Sequence, residues 1–215
     1  MPQVDPQQAD TRSRILASAR SHFAERGFEG ARTQAIADDA GVNKAMLYYH
    51  FRDKEHLYIE TLATLFGTLF QRIIPVMMNR DLPARDRILA VVGIYQQFLL
   101  ENPDVRSLIL RELAAGGTHM KIILRRQLED ITGANVDMVF DQIQRMIDSG
   151  QIRPGDPRHV FLHIISLVIF PFAARPLLET IWELTPGQYD ELMRSRIEVI
   201  TDLLDRGLFT GKEDR

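Results

Sequence analysis

Cysteine is absent from the 215-residue chain, which excludes a disulfide framework, a thiolate metal site and a cysteine nucleophile. An excess of one charge is also lacking: 26 Lys and Arg stand against 29 Asp and Glu, for a formal net charge of −3. A strongly basic chain would point to nucleic acid by itself. Here residues 1–58 hold eight basic and eight acidic side chains, so any nucleic-acid argument rests on which face carries the cations. Long hydrophobic runs are missing as well. The longest stretch free of Asp, Glu, Lys and Arg, His159–Ala174, is too short to span a bilayer and contains two histidines. The opening MPQVDPQQADTR has no apolar centre of the kind a signal peptide needs. The expectation is a cytoplasmic protein with no membrane partner. Nor is there an H-E-x-x-H, G-x-S-x-G, P-loop or dinucleotide glycine pattern, so neither an enzyme nor a bound cofactor is expected.

What is present is ordinary globular material, 45% hydrophobic and 26% charged, arranged at helical spacing. Ile15, Ala19, Phe23 and Ala24 line one side of a helix over 11–26, which Gly27 stops. Short helices follow at 33–40, with Thr33 as the expected N-cap, and from Asn43 through about His50. Asp53 can cap a long helix from Lys54, which Pro75 bends or ends. Beyond it, breaks at Pro and Gly place helices near 84–101, 104–115, 119–132, 135–149, 157–173, 175–184 and 187–208. The fold class is all-α. The long helix contains no linker, so a small N-terminal unit, 1–53 with a flexible 1–10, is expected to join a regulatory part, 54–215, rigidly.

The informative segment is Thr33–His50. Two short helices flank a turn at Gly41, where positive φ costs little, and Ala37 is small enough to let the second helix cross closely. Ile36, Ala40, Val42 and Leu47 supply an apolar core. This is the pattern of a helix-turn-helix, whose second helix enters the major groove. The second helix carries Lys44, Met46, Tyr48, Tyr49 and His50, and two adjacent tyrosines cannot both enter so small a core. Lys44 suits a guanine edge, Met46 or Tyr48 a thymine methyl, and Tyr49, His50, Arg52 and Lys54 lie where phosphates pass. The amides opening the helices at Thr33 and Lys54 are also available to phosphate. An aromatic plug between helices is the purely structural alternative.

Those residues resemble the DNA-binding part of the TetR/AcrR transcriptional regulators. The marks are A-x-x-x-F-A-E-x-G-F at 19–28, then Thr33, Ile36-Ala37 and Ala40-Gly41-Val42, then Leu47-Tyr48-Tyr49-His50-Phe51, Lys54-Glu55 and Leu57. The resemblance covers about a quarter of the chain. It implies an N-terminal three-helix DNA-binding domain joined by a long helix to a helical-bundle domain for ligand binding and dimerisation. It further implies a repressor that binds a palindromic double-stranded operator as a homodimer. By the same resemblance Thr33 and Lys54 fall at phosphate positions, Tyr49 and His50 at backbone contacts, and Lys44, Ala45, Met46 and Tyr48 at groove-facing positions. Asn43, within the same DNA-binding set, stands where Ser is frequent, and Ala45 where Gly is frequent.

The remainder alone reads as an all-helical domain. The run Val160–Phe170 is apolar nearly all round and calls for burial on most faces, inside one subunit or between two. A four-helix interface built from 157–173 and 187–208 suits it, and the resemblance points the same way. A small, largely apolar effector would face Phe66, Phe70, Tyr95, Phe98, Arg111, Phe140 and His163, residues that ordinary core packing also explains. Arg111-Glu112 reads equally as a solvated pair. His159 and His163 have metal-ligand spacing, but no third ligand adjoins them and no metal site is assigned. A helical adaptor, or a ligand-binding protein without DNA affinity, is the competing function.

Overall fold

A computed structural model describes residues 6–132 and 137–210. Among these, eleven helices follow one another: α1 (Pro6–Gly30), α2 (Thr33–Asp39), α3 (Lys44–Phe51), α4 (Lys54–Met78), α5 (Ala84–Glu101), α6 (Pro103–Ala114), α7 (Thr118–Thr132), α8 (Asp137–Asp148), α9 (Pro157–Ala173), α10 (Arg175–Ile181) and α11 (Pro186–Gly207). The only other pairing among the described residues is an isolated antiparallel bridge, Ile152 with Phe209. The chain is all-α, as the apolar spacing required.

Local signals account for many of the ends. Asn43 accepts from the Met46 amide at the start of α3, and Asp156 from that of Arg158 at the start of α9. Thr185 and Gln188 form a reciprocal capping box at α11. Three expectations change. Pro6–Asp10 are the first turns of α1, whereas residues 1–5 of the expected flexible stretch lie outside the described residues. Gly27 does leave helical geometry, at φ 69 and ψ 179, but the chain re-enters helix and continues to Gly30. Pro75 does not end α4, which runs on to Met78; Gln71, whose carbonyl loses its partner to the proline, faces solvent. Pro171 sits inside α9 in the same way, and there the Nε of Arg196 donates to the Leu167 carbonyl at 3.4 Å.

The chain packs as two compact units. Unit 1 takes residues up to Thr68 together with Asp104–Gln127; unit 2 takes Leu69–Pro103 and residues from Leu128 onward. These units do not coincide with a division at residue 53: the first half of α4, α6 and most of α7 cluster with α1–α3. The core of unit 1 joins Ile15 and Phe23, Ile36, Leu47 and Phe51, Leu57, Tyr58 and Leu62, and Val105, Leu108 and Ile123, all buried. Unit 2 buries Ile88, Val92 and Leu99 with Ile143, Met146, Val168, Tyr189, Ile200 and Leu204. Among the described residues α4 is long and apolar enough to cross a bilayer, as the bent pair α9–α10 would be if taken as one span, yet Leu57, Leu62, Leu65 and Leu69 along α4 are core residues.

Candidate nucleic-acid interface

The α2–α3 corner is built by a glycine. Gly41 adopts φ 65, its amide donates to the Asp38 carbonyl at 3.1 Å, and the Val42 amide reaches back to Ala37 at 2.9 Å. That pair of bonds is the Schellman closure of a helix, which needs a left-handed residue at this point. Ile36 and Ala37 are fully buried, and the Ser18 hydroxyl ties α1 to α2 by donating to the Ile36 carbonyl at 3.0 Å. The next helix starts on Asn43, whose Oδ1 accepts from Met46 at 2.8 Å.

α3 is two-sided. Leu47 is 0% and Phe51 3% exposed, while Met46, Tyr48 and Tyr49 are 41%, 37% and 72% exposed. Both tyrosines therefore lie outside the core, which an aromatic plug does not allow. Lys44 and Ala45 are exposed on the same short helix, and His50 is half-buried, its ring 5.4 Å from that of Tyr49. The Lys44 ammonium lies 5.7 Å above the Tyr48 ring.

Two expected roles change in detail. Thr33 is not an N-cap: Arg32 occupies that position without a side-chain cap, and Thr33 is the first helical residue. Its hydroxyl instead lies 3.2 Å from the Tyr48 hydroxyl, linking α2 to α3. Lys54 is engaged locally, its ammonium donating to the Glu29 carbonyl at 3.1 Å and lying 4.9 Å above the Phe28 ring. It ties the start of α4 to the end of α1 and keeps two further N–H donors. Asp53 caps α4 through the His56 amide at 2.8 Å. Hydrogen bonds from the backbone and ring of His56 hold its carboxyl below the usual range.

Unit 1 also holds a polar cluster that the sequence did not assemble. Glu112 of α6 is 3% exposed, so it is not half of a solvated pair. Its Oε1 accepts from the Tyr58 hydroxyl at 2.9 Å and lies 3.1 Å from His119 Nδ1, and its Oε2 accepts from the Met120 amide at 3.2 Å. Burial, then the hydrogen bond to Glu112 and its charge, push the Tyr58 phenol well above its ordinary pKa. Arg111, next in sequence, turns outward and donates to the Glu25 carbonyl at 2.7 Å. The chain passes so close there that a Cβ on Gly27 would come within 3.1 Å of the Arg111 Nη1. Arg20 of α1 grips Asp104 of α6 through Nε and Nη2, and Arg12 and Arg126 both hold Glu60.

The remaining effector candidates scatter. Phe66 is buried in unit 1. In unit 2, Phe98 is buried, Phe70 and Tyr95 are half-buried, and Phe140 meets Phe161 edge to face at 5.7 Å. Burial alone pushes the Tyr95 phenol up. His163 is exposed on α9 with its ring 6.4 Å from that of His159. Burial of α9 on most faces is not met within one chain: Phe161, Leu162 and Phe170 are 39%, 55% and 63% exposed. On α11, Leu192, Val199 and Leu203 form a second uncovered stripe beside buried Tyr189, Met193, Ile200 and Leu204.

Comparison with known proteins matches this architecture at both ends of the chain. The model for bacterial regulatory proteins of the tetR family matches residues 15–61, and that for the tetracyclin repressor-like C-terminal domain matches 85–204. The HTH-type transcriptional regulator RutR of Escherichia coli K12 is 30% identical over 153 residues, covering 70% of this chain and 68% of that protein. The HTH-type transcriptional repressor NicS of Pseudomonas putida KT2440 is 28% identical over 214 residues, 95% of this chain and 96% of its own. Among solved structures, the transcriptional regulator FadR from Bacillus subtilis in complex with stearoyl-CoA shares the fold, with a TM-score of 0.67 at 18% identity, over 88% of this chain and 97% of that one.

Proposed function

Because the chain belongs to the TetR family and is a DNA-binding transcriptional regulator, we propose that α3 reads a palindromic operator as half of a homodimer and that an effector ends repression. The observation that carries this reading is the exposed face of α3, where Lys44, Met46, Tyr48 and Tyr49 project from a helix anchored by buried Leu47 and Phe51. Lys44 and Tyr48, with Met46 and Ala45, face base edges. Thr33, Asn43, Tyr49, His50 and Lys54 contact or position the phosphate backbone. Residues 1–53 carry the reading function and 54–215 the regulatory one, in a cytoplasmic protein.

Dimerisation uses α9 and α11. Their uncovered apolar stripes suit a self-complementary interface, since contiguous exposed apolar surface of this kind marks association. The effector is small and largely apolar, and within unit 2 it faces Phe70, Tyr95, Phe98 and Phe140. The Tyr95 hydroxyl, with no hydrogen-bond partner among the described residues, is available to its polar end. Effector binding displaces α4, whose residues are divided between the two units, and changes the separation of the two recognition helices. Half-sites lie a helical turn or a multiple of it apart, so a shift of a few ångströms weakens operator binding.

The test is selection of bound duplexes from a random library by the full chain and by Tyr48→Ala. Enrichment of a two-fold-symmetric site that the variant loses or alters is the expected outcome. No enrichment at low salt, with or without a metabolite mixture, would refute it in favour of a helical adaptor that uses α9–α11 to hold a protein.

A further inference from the structure

Two arginines beside the recognition helix stand where the local backbone disfavours them. Arg32 is the N-cap of α2, at φ −105 and ψ 123. That position calls for a side-chain acceptor to satisfy the first-turn amides, and a guanidinium has only donors. Its positive charge also meets the positive end of the helix. Arg52 ends α3 at φ 62 and ψ −56, with the Asp53 amide closing a three-residue turn onto the Phe51 carbonyl at 2.6 Å. A γ-turn with positive φ is strained for any residue with a Cβ.

Neither arginine recovers that cost inside the protein. Both side chains are exposed, and neither makes an ion pair or a side-chain hydrogen bond among the described residues. The neighbouring carboxylates bond to other groups: Asp38 accepts from Gln34 at 2.7 Å, Asp39 lies 3.8 Å from His22, and Asp53 is held by His56, with the charge of Arg52 the smallest influence on it. Both arginines adjoin Tyr48. The Arg52 amide donates to the Tyr48 carbonyl at 2.8 Å, and Arg32 precedes Thr33, whose hydroxyl meets that of Tyr48. With Lys44 above the same ring, three basic residues are joined to one exposed tyrosine, two of them through the local backbone and hydroxyl links.

We propose that Arg32 and Arg52 are phosphate clamps, each gripping the DNA backbone beside Tyr48, and that their unfavourable backbone positions are offset only in the complex. A guanidinium fork matches two phosphate oxygens at once, which suits it to this task. The inference rests on the DNA reading of α3; it adds Arg32 as a contact and gives Arg52, already placed where phosphates pass, a defined role. It gives the two residues opposite signs in the two states: they weaken the free protein and strengthen the bound one.

The test uses the full chain with a fluorescent duplex carrying the selected operator, and with an unrelated duplex of equal length. Arg32→Ser restores a cap, and Arg52→Gly relieves the positive φ. Both leave the melting midpoint of the free protein unchanged or higher, Arg32→Ser by about 2–4 °C. Each lowers affinity for both duplexes by about fivefold per seated protomer at physiological salt, and reduces the salt slope by about 0.9 per seated protomer. Arg32→Lys keeps the slope. An unchanged slope in Arg32→Ser and Arg52→Gly overturns the proposal, as does a loss confined to the operator or accompanied by a lower midpoint. Wild type with no salt-dependent affinity for either duplex is a separate result, and it overturns the DNA reading itself.

Discussion

Removing one oxygen from Tyr58 tests whether the Glu112 cluster holds the DNA-reading helices to α6 and α7. Tyr58 is 1% exposed, and its hydroxyl is one of three groups within hydrogen-bond distance of a carboxyl that is itself 3% exposed. Tyr58→Phe keeps the ring, its edge-to-face contact with Phe23 at 4.8 Å and its contact with His119 at 5.0 Å, and deletes only the bond. A hydrogen bond to a charged group contributes about 1.5–3 kcal/mol. In a chain of this length that lowers the melting midpoint by about 3–12 °C. Glu112→Ala strands a buried hydroxyl, an amide and an imidazole together, and at about 1–3 kcal/mol for each polar group left unsatisfied should cost more than Tyr58→Phe. Because the phenol is pushed well above its ordinary pKa, by burial first and then by Glu112, it stays a donor across the working pH range and the loss is pH-independent on its account. Urea titration followed by circular dichroism measures each variant, and the cycle with Glu112→Gln isolates the pair, with a coupling of about 1 kcal/mol or more expected. A loss below about 0.5 kcal/mol for Tyr58→Phe would refute the reasoning, because the hydroxyl would then do as well bonded to water.

Three other outcomes follow from the same geometry. Burial raises the Asp104 pKa, but hydrogen bonds and charge from Arg20 outweigh it and hold the carboxyl low; its contribution to stability is therefore present above the ordinary carboxylate range and lost as pH falls through the depressed value. Acid titration of Asp104→Asn should show a shallower decline below about pH 4 than wild type, and parallel declines would contradict the pairing. Asn43→Ala removes the cap on α3 and should cost about 1 kcal/mol, which Asn43→Ser restores; calorimetry reads both. Val199→Glu with Leu203→Glu places charge on the open stripe of α11, where sedimentation should show a monomer and operator affinity should fall more than tenfold, about 1.4 kcal/mol or more; an unchanged dimer would move the interface off α11.

Much of this architecture was legible because its signals are local. α5 and α9 have the bounds that their flanking prolines and apolar spacing indicated, and Gly41 has the positive φ that the corner demanded. The exposed side of α3 was also legible, since Tyr48 and Tyr49 cannot share one small core. Where a cap could be assigned to two neighbours, the sequence misled: Thr33 looked like the capping residue, but Arg32 holds the position and the Thr33 hydroxyl turns to Tyr48. Lys54 was assigned to phosphate by its position and by resemblance, and only the fold brings the Glu29 carbonyl and the Phe28 ring beneath it. Long-range pairings left no pattern at all. Tyr58 and Glu112 are 54 residues apart and Arg20 and Asp104 are 84 apart, so the membership of α6 and α7 in unit 1 was invisible in the sequence.

That membership bears on how such a regulator can be taken apart. The chain passes between its two units after Thr68, after Pro103 and after Gln127, so there are three crossings rather than one. A fragment ending at residue 68 would leave Tyr58, Glu60, the Arg20 side chain and the Glu25 carbonyl without Glu112, Arg126, Asp104 and Arg111 of α6 and α7. A chimera meant to transplant this operator specificity onto another sensor must therefore move two separate stretches of sequence together. A single cut-and-paste at the end of the helix-turn-helix would ask a foreign α6 to supply Asp104, Arg111 and Glu112.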